Sequence, residues 1–452
     1  VGVIGAGLMG SGIALVLLQK NFTVRLVDIN KNALQKGLHF IKQTATSYVK
    51  RGIWNKQTAK HILNTLLKPS TSLQDMHDCQ LVVEAVVENM NIKQKVFATL
   101  DKVTPTNAIL LSNTSTLDID RIASVLNPKT RQGKFAGWHF FSPAHKMKLV
   151  EIVVGNNTTP TTTTTTTSPQ TVTILQHLTK LIGKIGVTVG NCNGFVGNRM
   201  VNTYSAEATF LLAEGAAETV CAVDHAIAKI HGMALGPFQM ADLAGNDIGY
   251  FIRKEKGMTR DPKTSIVGPN RPQRYTELPD DMVTKLGRLG QKTSKGWYDY
   301  DPKIGKGRKG LPSKEMAQFI QKYIPKTPSS SPTVFLTPQQ IIERCFFGLV
   351  NEGFKILEEG MAARPSDIDV IYLYGYGWPV WRGGPMYWAD HEIGLERLLN
   401  TLSTFHQRFP GSDYFKPAQL LKTCVRMNIT VEDYYRKGYH LNKNKNNTMS
   451  KL

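Results

Sequence analysis

The sequence predicts an α/β Rossmann-type doubly wound sheet followed by two repeated all-α domains. Three observations predict it. Apolar strands alternate with helical stretches over the first part of the chain, a glycine-rich turn follows the first strand directly, and a set of residues recurs at constant spacing further on. Strand–helix alternation is the mark of a mostly parallel sheet, because parallel neighbours need a crossover between them.

The expected strands are 1–5, 23–27, 81–86, 108–112, 135–140 and 150–154, with helical stretches between most of them. A threonine tract at 158–167, bracketed by Pro160 and Pro169, has no apolar period and reads as a disordered low-complexity insertion. The fold resumes with a helix near 172–181 and a strand near 185–189.

Beyond Asn193 the pattern is helical, and it repeats. Arg199, Glu207, Glu214, Gly215, Asp224 and Gly232 recur as Arg344, Glu352, Glu359, Gly360, Asp369 and Gly377, always 145 residues later. Matches in one register without a gap predict two copies of one helical domain. The expected organisation is a Rossmann domain at 1–191 with the insertion at 157–170, a first helical domain at 192–300, a linker at 301–336, a second helical copy at 337–441 and a flexible tail at 442–452. The Pro/Ser/Lys-rich stretch 325–332 marks the linker.

Composition narrows the class. The chain has 452 residues, 41% of them hydrophobic, enough for two or three cores. No apolar run approaches the length of a membrane span, and no signal peptide is visible. The chain opens on a strand without an initiator Met, which reads as part of something longer. Cys79, Cys192, Cys221, Cys345 and Cys424 are scattered and odd in number, so neither a disulfide framework nor a metal site is expected. The net charge of +20 suits phosphate-bearing ligands. No basic stretch is interleaved with aromatics, so nucleic acid is not an expected partner and most of the charge is solvated surface.

Gly5-Ala6-Gly7-Leu8-Met9-Gly10 follows a strand and opens a helix. Gly5 permits the tight turn, Gly7 lets backbone approach a pyrophosphate, and Gly10 lets helix pack on strand. Leu8 and Met9 begin the helix whose N-terminus faces the phosphates. Asp28 ends the second strand, where a carboxylate accepts from ribose hydroxyls and repels a 2′-phosphate. The expected cofactor is therefore NAD, with nearby Lys31 able to soften the preference over NADP.

His139 stands at the end of an apolar strand, and twelve residues on Glu151 lies inside another, Lys148-Leu149-Val150-Glu151-Ile152. A buried acid is costly unless paired. Each residue accounts for the other if they form a dyad in which Glu151 holds the imidazole tautomer and steadies the imidazolium.

These motifs, together with Val83-Glu84-Ala85-Val86-Val87-Glu88-Asn89, Ser112-Asn113-Thr114-Ser115, His139-Phe140-Phe141-Ser142-Pro143, Gly194-Phe195-Val196-Gly197-Asn198-Arg199, Leu235-Gly236-Pro237-Phe238 and Lys295-Gly296-Trp297-Tyr298, resemble the L-3-hydroxyacyl-CoA dehydrogenase family. The resemblance runs from the first residue through both helical copies and is greatest to the dehydrogenase half of peroxisomal bifunctional β-oxidation enzymes. It implies reversible NAD-dependent oxidation of L-(3S)-3-hydroxyacyl-CoA to 3-oxoacyl-CoA. It also implies roles: His139 as catalytic base, Glu151 as its partner, Ser115 in contact with substrate and cofactor, and Asn198 as the amide placing the reacting oxygen. Glu88 and Lys93 resemble residues lining the NAD site. Ser142 stands where monofunctional members carry Asn and the bifunctional branch often carries Ser.

Blander roles remain beside these. Ser115 can be a helix N-cap and Asn198 a cap or turn residue. A catalytically silent binding protein on the same scaffold is the competing reading of the whole chain. Lys50 and Arg51 are candidates for CoA phosphates. The terminal Ser450-Lys451-Leu452 reads as a peroxisomal address taken by an import receptor. No hydratase activity is expected of this stretch. Because a second copy can supply the surface through which single-copy members pair, a monomer with an internal pseudo-dimer is expected.

Overall fold

The computed structural model describes residues 1–131, 133–155, 166–262, 264–325 and 335–441. They form two compact units. The first is Val1–Asn198 with Glu359–Gly375, and the second is Arg199–Glu358 with the chain from Tyr376 onward.

The first unit carries an eight-stranded sheet among the described residues: β1 (Gly2–Ile4), β2 (Val24–Val27), β3 (Leu67–Ser70), β4 (Leu81–Glu84), β5 (Ile109–Ser112), β6 (Phe135–Phe140), β7 (Leu149–Val154) and β8 (Ile185–Gly190). Their order is β3-β2-β1-β4-β5-β6-β7-β8. All neighbours are parallel except β6 and β7, which run antiparallel. The chain reverses its direction of travel at β1, so the crevice beyond the ends of β1 and β4 is the topological switch point. Val3, Val83 and Leu111 are wholly buried, as expected of a sheet covered on both faces. Helix α1 (Leu8–Leu18) is buried over most of its surface, helix α2 (Lys31–Lys50) is amphipathic, and helix α3 (Met90–Val103) follows β4.

β3 has no counterpart among the expected strands. It contains Pro69, and a sheet tolerates proline here because β3 is an edge strand. Of the threonine tract, residues 158–165 lie outside the described residues. At its end, Thr167 Oγ1 donates to Phe135 O at 2.6 Å and accepts from Gly155 N at 3.0 Å. The insertion expected through 170 therefore ends earlier, and a helix starts at Pro169.

Helix α4 (Gly197–Ala213) begins the helical region, and helix α5 (Pro338–Glu358) is its counterpart in the second copy. Gly215 and Gly360 follow them with φ of +69° and +70°, the left-handed closure that favours glycine. Helix α6 (Pro365–Gly375) continues the second copy.

The expected boundaries differ from the observed units in two places. Glu359–Gly375 belongs with the sheet, because β8 is an edge whose backbone groups need partners. Gly190 N donates to Met361 O at 2.8 Å and Val189 bridges Ala362. The stretch 301–325 is also more than a linker. Helix Lys314–Gln321 buries Met316, Phe319 and Ile320. Residues 326–334 and the terminal Ser450, Lys451 and Leu452 lie outside the described residues. No described helix is long and apolar enough to cross a membrane.

Candidate active site

The expected site residues gather along the carboxyl edge of the sheet. Gly5 closes β1 with φ +95°. At Gly10 a Cβ would stand 1.8 Å from Gly5 O, so only glycine lets α1 approach the strand. At Gly7 an added Cβ would meet nothing within 4 Å, which leaves open space above the turn. Leu8 is exposed and Met9 half-buried at the start of α1. Asp28 is pinned beside the turn: Oδ2 accepts from Ala6 N and Oδ1 from Asn30 N, both at 2.9 Å. An open glycine turn at a helix N-terminus, with an anchored carboxylate at the end of the next strand, fits a dinucleotide.

The next two strand ends are locked together by buried charge. Glu84 is wholly buried. Its Oε1 accepts from Val86 N at 2.8 Å and Lys93 Nζ at 2.7 Å, and its Oε2 from Ser112 Oγ at 2.6 Å. Lys93 is also buried, and its ammonium reaches Glu88 Oε2 at 3.3 Å. Glu88 Oε1 in turn accepts from Thr114 Oγ1 at 2.6 Å, Ser115 N at 2.8 Å and Thr116 N at 3.1 Å. Burial pushes the Glu88 carboxyl up, but the Lys93 charge and these donors outweigh it and hold the group below the usual carboxylate range. Ser115 Oγ lies 3.3 Å from Glu88 Oε1, and Asn198 Nδ2 donates to Ser115 O at 3.4 Å. Ser115 is not a helix cap. Asp118 caps the helix that follows, Ile119–Ala123.

The antiparallel register of β6 and β7 sets His139 directly opposite Glu151. His139 Nδ1 meets Glu151 Oε2 at 2.8 Å, and Glu151 is wholly buried. Gly197 N, at the start of α4, donates to the other oxygen at 3.0 Å. A helix N-terminus favours the ionised carboxylate. With Nδ1 turned to a carboxylate, the proton is assigned to Nδ1 and Nε2 is the basic nitrogen. The imidazole lies among aromatic rings, 4.7 Å from Phe141 and 5.7 Å from Phe195 between centroids. Ser142 is exposed just beyond β6.

Residues 1–192 match the family model described as 3-hydroxyacyl-CoA dehydrogenase, NAD binding domain. Residues 194–300 and 341–438 match the one described as 3-hydroxyacyl-CoA dehydrogenase, C-terminal domain. The chain belongs to the 3-hydroxyacyl-CoA dehydrogenase family.

Membership of the 3-hydroxyacyl-CoA dehydrogenases makes the first unit an NAD-binding domain, in keeping with its turn and Asp28. The peroxisomal bifunctional enzyme of Danio rerio is 42% identical over 428 residues, which are 94% of this chain and 55% of that protein. The chain thus spans about half the length of the curated relatives it matches. The crystal structure of 3-hydroxybutyryl-CoA dehydrogenase from Escherichia coli superimposes with a TM-score of 0.73 at 25% identity, covering 96% of this chain and 98% of that one. The dehydrogenase part of multifunctional enzyme 1 from C. elegans gives a TM-score of 0.62 at 29% identity, with 93% and 88% covered.

The dehydrogenase fold also brings in residues that the sequence reading does not single out. Glu84 carries the same signal as Glu151, an acid in an apolar strand. Asn113 accepts from Phe140 N at 2.8 Å and ties the end of β6 to β5. Tyr372, from α6, reaches the residue that donates to Glu151. On α2, His39, Lys42, Gln43, Thr46, Ser47 and Lys50 line an open cavity of about 510 Å³, and Arg51 caps the helix.

Proposed function

We propose that this chain is an NAD-dependent L-(3S)-3-hydroxyacyl-CoA dehydrogenase, the dehydrogenase part of a peroxisomal bifunctional β-oxidation enzyme. One observation carries the proposal: a buried His139–Glu151 pair at the same sheet edge as the glycine-rich turn.

When bound, NAD supplies the hydride acceptor. His139 Nε2 takes the proton of the substrate 3-hydroxyl as C3 is oxidised. Glu151 holds the Nδ1 side of the ring and faces the imidazolium as it forms, while general-base catalysis by His139 contributes about 10²–10⁴-fold. Gly197 N–H holds the second oxygen of Glu151 in place. Ser115 and Asn198, tied together and through Ser115 to Glu88, would hold the reacting oxygen of the substrate. Lys93 acts on this loop through Glu88, and Ser142, just beyond β6, would meet the nicotinamide. Asp28 takes the adenosine ribose. The basic face of α2, with Lys42, Lys50 and Arg51, takes the CoA phosphates.

The peroxisomal setting is supported by the names of the relatives and by Ser450-Lys451-Leu452, which an import receptor would read. The two helical copies support a monomer. The test is to supply a (3S)-3-hydroxyacyl-CoA with NAD and follow NADH formation. The wild-type chain produces NADH, and His139→Ala abolishes turnover while still binding NAD. Absence of NADH from the folded wild-type chain over short, medium and long acyl groups would leave a silent binding scaffold.

A further inference from the structure

We propose that helix α6, contributed by the second helical copy, is a positioning element of the His139–Glu151 dyad, with Tyr372 as its contact residue. The inference rests on the dehydrogenase reading above and gives the second copy a role within the site itself.

Tyr372 is wholly buried, and its hydroxyl donates to Gly197 O at 3.3 Å. Gly197 is the same residue whose N–H donates to Glu151 Oε1 at 3.0 Å. Its carbonyl and its amide are therefore held from opposite sides, one by α6 and one by the dyad. The next residue, Asn198, reaches Ser115 O. Fixing Gly197 thus fixes both the donor to Glu151 and the start of the side chain that meets Ser115. Burial, then the Glu151 charge, pushes the Tyr372 phenol well above its ordinary range, so it remains a donor throughout the working pH range.

The same helix meets the dyad's support a second time. A Cβ at Gly375 would stand 2.6 Å from Leu149 Cδ2 and 3.3 Å from Phe141 Cε1. Phe141 is the ring packed 4.7 Å from His139. The absence of a side chain at Gly375 lets α6 lie against the wall behind the imidazole. In the first copy, 145 residues earlier, these positions are Ile227 and Ile230. The copies differ at both points where α6 touches the dyad's support: a hydroxyl appears where there is none, and a side chain vanishes where one stands exposed.

The test compares Tyr372→Phe, Gly375→Ala and Tyr374→Phe in the full chain, with His139→Ala assayed alongside. Tyr372→Phe removes one hydroxyl and keeps the shape. It is expected to lower kcat about three- to tenfold with the KM for NAD unchanged. Gly375→Ala, which crowds Phe141, lowers kcat in the same way. Tyr374→Phe, on the same helix but 40% exposed, behaves as wild type. Wild-type kcat in Tyr372→Phe overturns the inference, as does a lowered melting temperature with kcat intact. If Gly375→Ala does not fold, Tyr372→Phe decides alone. An active His139→Ala sinks the dehydrogenase reading. An inactive His139→Ala beside a fully active Tyr372→Phe sinks only the role of α6.

Discussion

Arg199 Nε pairs with Glu352 Oε1 at 2.7 Å, and 145 residues along the chain the pair recurs with its partners exchanged, Arg344 Nε to Glu207 Oε2 at 2.7 Å. Residue i of one copy meets residue j of the other, and j meets i, which is how a two-fold symmetric interface is built. The two bridges are chemically alike but differently buried. Glu207 and Arg344 side chains are 0% and 4% exposed, against 13% and 18% for Glu352 and Arg199. Glu207 also binds Arg274 and Tyr414, and the Arg344 guanidinium lies 3.7 Å from the centre of the Phe409 ring.

This asymmetry predicts unequal costs. Removing one member of a buried pair strands the other and costs about 3–5 kcal/mol, whereas a partly exposed pair is worth about 1 kcal/mol or less. Glu207→Gln is expected to destabilise the protein by about 3 kcal/mol, and Glu352→Gln by a fraction of that. Urea unfolding of the two variants measures the difference, and equal losses would refute the burial argument.

The reciprocal bridges also bear on assembly. A two-fold interface satisfied within one chain has no second copy of itself to offer a neighbour. Light scattering on the purified protein is expected to return the mass of one chain. A concentration-independent mass of two chains would show that another surface drives pairing.

For the dyad, charge and shape can be separated. Glu151→Gln keeps the side-chain volume but places a neutral amide against Nδ1, so the imidazolium loses its counter-charge. A fall in kcat of about 10²-fold is expected, smaller than that of His139→Ala. Steady-state rates on the two variants check the order. Unchanged turnover in Glu151→Gln would show that the pairing has no part in proton transfer.

How much of this was legible in the sequence follows from what kind of atom makes each contact. Glu151 among Leu149, Val150 and Ile152 has no apolar reason to be there, and so points to a buried partner. The glycine turn is legible because Gly5 and Gly10 stand where a side chain would not fit. Glu84 has the same signature as Glu151 but no histidine to match it, since its partners are a backbone amide, Ser112 and Lys93. β3 is hidden by Pro69, which is tolerated only because the strand is an edge. The docking of Glu359–Gly375 on β8 is the least legible. It uses backbone groups of Gly190 and Met361, and backbone pairing leaves no residue signature. Tyr372 lies in the run Ile371-Tyr372-Leu373, which reads as ordinary helix core.

Cofactor choice follows from Asp28. Its carboxylate is held in place by Ala6 N and Asn30 N, so it cannot swing away from a ligand beside the turn. Wild type is expected to favour NAD over NADP. Asp28→Ala also loosens the turn, which affects both cofactors, so the ratio of kcat/KM values is the proper readout. That ratio is expected to fall about tenfold or more, the worth of a hydrogen bond to a charged group. A clear NADP preference in wild type would end the assignment.

Acid sensitivity is expected from a residue with no part in the proposed chemistry. His231 is 1% exposed, with Phe346, Trp378 and Trp388 rings at 4.5, 4.6 and 4.9 Å, and its Nε2 meets no hydrogen-bonding group among the described residues. Burial, joined by the Arg382 charge, pushes its pKa down to about 3. In the unfolded chain the value is about 6.5. Above pH 6.5 neither state binds the proton, and stability is at its full value. Below it the unfolded chain takes up a proton that the folded chain refuses, so stability falls by about 1.4 kcal/mol per pH unit until about pH 3. At pH 5 the loss is about 2 kcal/mol. His231→Phe fills the same aromatic cage and has nothing to titrate. Urea midpoints at pH 7 and pH 5 should therefore drop less for His231→Phe than for wild type, and the difference isolates this residue from every other group that titrates in the interval. Parallel drops in the two proteins would mean that the buried imidazole accepts its proton without unfolding the cage.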